Sequence, residues 1–364
     1  MSISNKYQSI CDTIRERISN GIYTERLPAR RVLMKDFQVS SRTLHKVFTQ
    51  LKILGVIDPS PRGTMICNAC DDIHHKPKII LITPSDPSKH IADDFIQNII
   101  GNIHKHNFEL DWSVCSCDDT LEMLKNKPLS AKDSVIFTNS TFSVEAGNYL
   151  KEKNITFVSS NRPAPGVDIN WVDWNHLELF DKVIGFLVNC GARNIVFFGS
   201  GSANKMEIQA DGCRCLPANH WQILDDFEAV KKSYLLFYPQ MNVPSDELYC
   251  NAEKYVDYLL TLKHLPDVIW CGASNTKKQI ADILHRKGIK PGSIFLLSMT
   301  HLPNSGDDFF GIYTRRALQD LGDCVWKLLM FSRLHPNVPC RGIKQHCDFL
   351  YNKSLKKIKF NHKR

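Results

Sequence analysis

Residues 27–66 read LPARRVLMKDFQVSSRTLHKVFTQLKILGVIDPSPRGTMI, and their punctuation decides the fold of the first part of the chain. Val32, Leu33 and Phe37 form the buried side of a helix that Leu27 and Pro28 introduce, with Pro28 setting its first turn. A sharp turn through Gln38 and Val39 leads to Ser40, whose hydroxyl suits the N-cap of a second helix. That helix buries Leu44, Val47, Phe48, Leu51 and Leu54 and presents Ser41, Arg42, His45 and Lys46 outward near its start. After Gly55, the residues Pro59, Pro61 and Gly63 mark a tight turn between two short strands, with Arg62 at the tip. Upstream, Tyr7, Ile10, Cys11, Ile14 and Ile18 recur at helical spacing and stop at Asn20 and Gly21, a pair suited to a left-handed exit.

Three helices followed at once by a hairpin make a winged helix-turn-helix, whose last helix enters the major groove of duplex DNA by its first turns. Arg42 is the best placed for a bidentate contact to guanine, with Ser41 and Thr43 reaching phosphates or bases and Lys46 standing further back on a phosphate. Ser40 and His45 complete that face. Arg30 and Arg31 begin the preceding helix where a backbone phosphate is clamped, and Arg62 with Gly63 carries the wing toward the minor groove. Any one of these charges alone is ordinarily a solvated face; their joint placement points to DNA. Charge agrees. Residues 1–66 hold 11 Lys and Arg against 5 Asp and Glu, which leaves 35 against 33 for the other 298, so the electrostatic case for phosphate belongs to the front.

The run 27–66 resembles the winged helix-turn-helix of the GntR family along about 60 residues. The resemblance implies that Arg31 is the phosphate-contacting arginine of the second helix, Thr43 the recognition-helix threonine and Gly63 the wing glycine. The chain departs from the family at Ser41, where an arginine is usual and is here displaced to Arg42, at His45, where another arginine is frequent, and at Ala29, usually a capping serine. Those departures bear on the operator sequence, not on DNA binding.

From Lys78 onward, apolar runs of strand length alternate with amphipathic stretches. KIILIT, SVIFT, ITFVSS, NIVFFG, SYLLFY, DVIWC and SIFLLS read as strands of parallel sheets covered on both faces. Helices are expected near Ile91 to His106, Phe142 to Lys153, Leu177 to Asn189, Trp221 to Lys232, Glu247 to Lys263 and Thr276 to Lys287. This is a doubly wound α/β pattern, with a ligand cleft expected beyond the carboxyl ends of the strands.

VNCGARNIVFFG (188–199), PDVIWCGASNTKKQIADILHRKGIKPGSIFLLS (266–298) and GIYTRRALQDLGDCVWKLL (311–329) resemble the effector domain of the LacI family, a relative of the periplasmic sugar-binding proteins, over roughly 77–352. The resemblance implies a two-lobed, doubly wound domain that dimerises and binds a small metabolite, carbohydrate-related in many relatives, between its lobes. Where sugar-responsive relatives set an arginine and aspartates, this chain has Asn175, Ile223, Ser274 and Thr300. Either the alignment is displaced by a residue, or the effector is not an ordinary sugar, or the domain mainly dimerises. Ser85, Asn139, Thr141, Asn161, Arg162, Asp173, Trp174 and Trp221 stand near enough in the pattern to build a site with Asn175, Ser274 and Thr300, although an aromatic at a strand end is more often core.

The architecture expected is therefore α/β: a winged helix-turn-helix over 1–68, a linker over 69–77, an effector and dimerisation domain over 78–352 and a basic tail over 353–364. Its lobes would be approximately 78–172 with 305–335, and 173–304 with 336–352. The function expected is a sequence-specific, DNA-binding transcription regulator, a metabolite-controlled repressor acting as a homodimer on a pseudo-palindromic duplex. The alternative is a ligand-independent dimeric regulator. No enzyme is expected: Gly199 and Gly201 lack the third glycine of a dinucleotide loop, and no Walker loop, GxSxG or HExxH occurs. No cofactor or metal is expected either. Cys67, Cys70, His74 and His75 could offer zinc four ligands, but they do not match finger spacing and read more readily as linker; 201–220, with Cys213, Cys215 and His220, could sense a metal or redox change but reads more readily as an exposed insertion. Thirteen cysteines, an odd number and many in apolar runs, read as reduced thiols. With no apolar run of spanning length and a polar start, a cytoplasmic location without membrane contact is expected.

Overall fold

A computed structural model of the chain describes residues 3–60, 63–67, 77–84, 93–138, 141–163, 166–198, 226–227, 229–234, 251–262, 264–271, 274–290, 292–298, 310–311, 315–346, 350–351 and 360. They divide into two compact units. The first comprises Met1–Asn161, Val167–Val172 and Gly322–Gly342; the second comprises Arg162–Gly166, Asp173–Leu321 and Ile343–Arg364.

The first unit begins with helices α1 (Ile3–Ser19), α2 (Arg30–Asp36) and α3 (Ser41–Ile53), then strands β1 (Ile57–Ser60) and β2 (Gly63–Ile66). Each helix ends the same way: the backbone turns left-handed at Gly21, Gln38 and Gly55, and the next N–H returns to the helix, Ile22 to Arg17 O, Val39 to Met34 O and Val56 to Leu51 O. Gly21 and Gly55 make this turn without a Cβ penalty, whereas Gln38 does not. Cys11, Ile14, Leu33, Val47 and Leu51 are almost wholly enclosed and close a single core under the three helices. Of the residues expected inside, Leu33 is fully buried, but its neighbour Val32 is 56% exposed, because adjacent residues on a helix point about 100° apart and both cannot face the core. Pro28 lies before the Ala29 N-cap, outside the first turn. β1 and β2 pair antiparallel from Ile57↔Ile66 to Ser60↔Gly63, so Pro59 sits in a strand, and Arg26 forms an isolated antiparallel bridge with Met65, flanked by Ile66 N–H to Glu25 O and Leu27 N–H to Thr64 O. A single bridge of this kind leaves no sequence signal.

The rest of the first unit holds most of a six-stranded sheet, of which residues 173–174 and 343–345 are counted with the second unit. The sheet's strands are β3 (Lys78–Thr83), β4 (Glu109–Val114), β5 (Ser134–Phe137), β6 (Thr156–Ser159), β7 (Trp171–Trp174) and β12 (Gly342–Gln345), in the order β12-β7-β6-β5-β3-β4. β3 pairs parallel with β4 and β5, and β5 with β6. Helices α4 (Asp94–Lys105), α5 (Thr120–Lys125) and α6 (Val144–Glu152) connect them. β3 and β5 are buried nearly throughout, as continuous apolar runs require. β4, with its sequence ELDWSV, was not anticipated: an edge strand is only partly covered, so it keeps polar residues and carries no apolar run. GIKQ, at the opposite edge, escaped notice for the same reason; WVDW, an inner strand, escaped it because it is only four residues long and Asp173 interrupts its apolar run.

The first unit also holds residues 322–334 of a long helix, Arg315–Leu334, here α10. Arg333 on it donates to Ile53 O at the end of α3 (2.8 Å from Nη2) and to Lys132 O (2.8 Å from Nη1), Asp133 O and Ser134 Oγ at the start of β5. The residue keeps some surface, yet its guanidinium is enclosed, and burial pulls its pKa down to about 10. Beside it, Gln50 of α3 donates to His106 O (2.9 Å) and meets His106 Nδ1 (3.2 Å), while the imidazole stacks on Trp326 of α10 at 5.2 Å.

In the second unit, β8 (Ile195–Phe198), β9 (Val268–Cys271) and β10 (Phe295–Ser298) form a parallel sheet in the order β10-β9-β8. Helices α7 (His176–Asn189), α8 (Ala252–Thr261) and α9 (Ser274–Arg286) belong to it, with the antiparallel pair β11 (Phe310–Gly311) and β13 (Leu350–Tyr351). Phe180, Phe197, Phe227 and Trp270 meet edge-to-face in its interior. Of SYLLFY, expected as a strand, Ser233 and Tyr234 end a helical stretch and the remainder lies outside the described residues. Among the described residues, eight cysteines are free thiols, no helix is long and apolar enough to cross a membrane, and no three His, Cys, Asp or Glu gather to hold a metal. Burial pushes Cys11 and Cys271 up to about 12 and Cys117 to about 11, which makes all three poor nucleophiles.

Burial, then the neighbouring Lys105 charge, holds the His106 pKa below its ordinary 6.5. The folded chain thus keeps this ring neutral where the unfolded chain takes up a proton, so stability falls as pH drops through and below that range. His106→Phe keeps an aromatic ring on Trp326 and removes the titration. We expect the melting temperature of the native protein to fall more steeply between pH 7.5 and 5 than that of H106F (window set around the ordinary histidine value, roughly 6.5); parallel slopes would contradict this.

Candidate functional site

α3 displays the candidate DNA-facing side chains. Ser40 caps it, its hydroxyl accepting from Thr43 N–H at 3.3 Å and lying 3.1 Å from Thr43 Oγ1. Ser40 and Thr43 therefore engage each other, so that in the free protein both hydroxyls serve the cap. Ser41, Arg42, His45 and Lys46 are exposed on the first two turns, opposite the buried Leu44, Val47, Phe48 and Leu51. The first turn holds no acidic residue, which leaves the partial positive charge of the helix end free for an anion.

α2 supplies Arg30 and Arg31, both exposed. The Arg30 guanidinium lies over the Phe48 ring at 5.0 Å, which braces it against α3. Behind them Arg17 makes an ion pair with Asp36, bonds Tyr23 Oη at 2.7 Å and covers Phe37 at 4.9 Å. That contact fastens α1 to the end of α2 and was not anticipated from the sequence. Gly63, with φ +122, opens β2; Arg62 lies outside the described residues.

The candidate effector residues fall in both units. In the first, Thr141 is fully buried, its hydroxyl bonded to Thr138 O at 2.9 Å, and half-buried Asn161 has its backbone N–H on Ser159 Oγ at 3.2 Å. In the second, four of them come together. Asp173, 3% exposed, accepts from Arg162 N–H at 3.0 Å and from Trp174 N–H at 2.7 Å, and lies 3.5 Å from His176 Nε2. The Arg162 guanidinium pairs with Asp226 at 2.8 Å. Asn175 is the N-cap residue of α7, its amide nitrogen 3.3 Å from Glu178 Oε2. Ser274 opens α9. Ser85, Asn139, Trp221 and Thr300 lie outside the described residues, as do Cys70, His74, His75, Cys213, Cys215, His220, Gly199, Gly201 and Ile223. Sequence reasoning missed His176 and Asp226, since neither falls at a strand end.

The two units with their parallel sheets can be compared with solved structures. In fold, the chain is similar to LacI-family transcriptional regulators. A LacI transcriptional regulator from Bacillus cereus subsp. cytotoxis NVH 391-98 is 17% identical, with 76% of this chain and 97% of that one covered and a TM-score of 0.55. The transcriptional regulator CelR in complex with cellobiose is 13% identical, covering 86% and 90%, with a TM-score of 0.55. The regulator CCPA from Weissella paramesenteroides with bound glucose is 13% identical, covering 75% and 96%, at 0.55. No family model matches the sequence. No curated protein matches it either.

The capping bond gives a direct check. Ser40→Ala removes the acceptor for the α3 N-terminus and should lower unfolding stability by about 1 kcal/mol, read as a lower urea midpoint at unchanged slope. An unchanged midpoint would show that the cap contributes nothing.

Proposed function

We propose that the chain is a DNA-binding transcription regulator of the repressor type, acting as a homodimer whose affinity a small metabolite controls. The observation that carries this reading is the joint exposure of Ser41, Arg42, His45 and Lys46 on the leading turns of α3, beside Arg30 and Arg31 of α2. Residues 1–68 are read as a winged helix-turn-helix of GntR type, since three helices, a left-handed turn at Gln38 and a hairpin at 57–66 follow in the required order. Residues 69–77 are read as a linker, 78–352 as a LacI-like effector and dimerisation domain with the lobes stated above, and 353–364 as a basic tail. A cytoplasmic, non-enzymatic protein follows from that reading.

Arg42 reads a base, Arg30 and Arg31 hold phosphates, and Ser41, Thr43, His45 and Lys46 line the groove, with Ser40 serving the cap and Arg62 and Gly63 the wing. Two copies place their α3 helices in successive major grooves, about 34 Å apart. In the effector domain, Arg162 is the candidate clamp. Its backbone is fixed by Asp173, one guanidinium nitrogen is on Asp226, and its other N–H groups have no hydrogen-bond partner among the described residues. Structural neighbours carry cellobiose, glucose and ribose, which makes neutral sugars and sugar acids the first ligands to try. The rival reading, a regulator that only dimerises through this domain, is favoured by Asn175, Ile223, Ser274 and Thr300 standing where sugar-responsive relatives carry charges.

Fluorescence anisotropy on selected duplexes tests the DNA contacts. Arg42→Ala should cost about 1–3 kcal/mol and relax preference at one base position, whereas Arg31→Ala should weaken binding evenly across sequences and reduce the salt slope by about 1. Even weakening by R42A would make Arg42 a phosphate contact, and duplex binding unaffected by both variants would end the proposal. A ligand from the sugar panel should raise the melting temperature of the native protein more than that of Arg162→Ala; no shift with any of them favours the ligand-independent reading.

A further inference from the structure

We propose that Arg333 is a positioning residue for DNA recognition: it fixes the rear end of α3 to the α/β lobe of the first unit, so that the lobe sets the direction in which α3 projects. The inference rests on α3 being the DNA-facing helix. Arg333 lies 280 residues from Ile53 in sequence, yet its Nε and Nη2 both donate to Ile53 O, at 3.2 and 2.8 Å. The other edge of the same planar fork serves the lobe, through Nη1 to Lys132 O, Asp133 O and Ser134 Oγ. One rigid group thus bridges the reader helix and the first residue of β5.

Ile53 is the last residue of α3, so its carbonyl is among those a helix cannot satisfy internally, and a cation there meets the negative end of the helix. A lysine could not do both jobs, having a single point charge in place of a fork. The face of the Arg333 guanidinium lies against Phe108 at 5.3 Å, which limits how far it can swing. A second strut stands beside it: buried Gln50 on α3 is bonded to His106, the C-cap of α4, and His106 stacks on Trp326 of α10. Three lobe elements therefore converge on α3, α4 and α10 directly and β5 through Arg333. Two of them run from the opposite edge of the sheet, where Asp93 opens α4 and Thr138 and Thr141 follow β5. α3 is thereby joined to that edge through packed elements, independently of the covalent connection through 68–76.

The test uses the full chain and two half-sites taken from DNA selected by the native protein, joined by spacers of different length, together with a single half-site. Native protein should prefer one spacing by about a hundredfold or more, because simultaneous engagement is lost when the geometry does not fit. Arg333→Met should bind the single half-site within about twofold of native and lose most of that spacing preference, since a loosely held reader adapts to several separations. Arg333→Lys should behave as Arg333→Met. Gln50→Ala, which leaves Arg333 in place, should lose part of the preference, and it stands in if Arg333→Met does not fold. A merely structural role would weaken half-site and full-site binding alike and keep the spacing preference; that result overturns the proposal. Methyl relaxation separates this from failure of the DNA reading. Ile10, Ile14 and Ile18 should tumble with Ile80 and Ile82 in the native protein and faster than them in Arg333→Met, whether or not any duplex binds. Equal tumbling in both proteins also overturns it.

Discussion

Both ends of α3 are satisfied by groups that lie outside the helix, and the rest of the first unit is arranged to keep them there. Ser40 closes the leading end by a local hydroxyl, which costs nothing in reach and leaves the side chains of the first turns exposed. Arg333 closes the trailing end from a helix 280 residues further along the chain, so this contact exists only in the folded lobe. Burying such a group is unfavourable unless each donor finds an acceptor, and here carbonyls of Ile53, Lys132 and Asp133 provide them. Asp133 is held in turn, its carboxylate taking Lys78 N–H and Ser130 N–H at 2.8 Å each.

The same logic of fixed donors governs the candidate effector residues of the second unit. Asp173 is buried and spends its lone pairs on the backbone N–H groups of Arg162 and Trp174, so it shapes the turn more than it offers itself to a ligand. Arg162 then projects from a fixed base toward Asp226. His176 Nδ1 and Trp270 Nε1 are buried in this unit with no hydrogen-bond partner among the described residues, and both rings approach Phe180, at 6.2 and 5.1 Å.

What could be read from the sequence was whatever depends on local chemistry. Helix periodicity, the Ser40 cap, the left-handed exit at Gly21 and the buried runs KIILIT, SVIF, IVFF and VIWC all follow from residues adjacent in the chain. Val32 was misplaced because it and Leu33 are both apolar neighbours on a seven-residue helix, too short for the period to show which of the two faces the core. β4 was missed because an edge strand needs no apolar run. The Arg333 contact was invisible for a different reason: an arginine near the end of an amphipathic helix looks like any solvated charge until the fold brings Ile53 to it. Of the candidate site, the exposed face of α3 was legible in residue types and spacing, whereas the pairing of Arg162 with Asp226 joins residues with no local signal between them.

The central claim is that α3 presents its leading turns to duplex DNA, and site selection by the purified full chain from a randomised duplex pool tests it most directly. Enrichment of a pseudo-palindrome is expected, with half-site centres separated by about one helical turn, 10–10.5 base pairs, or a multiple of it. A pool that stays random after repeated rounds at low salt would contradict it.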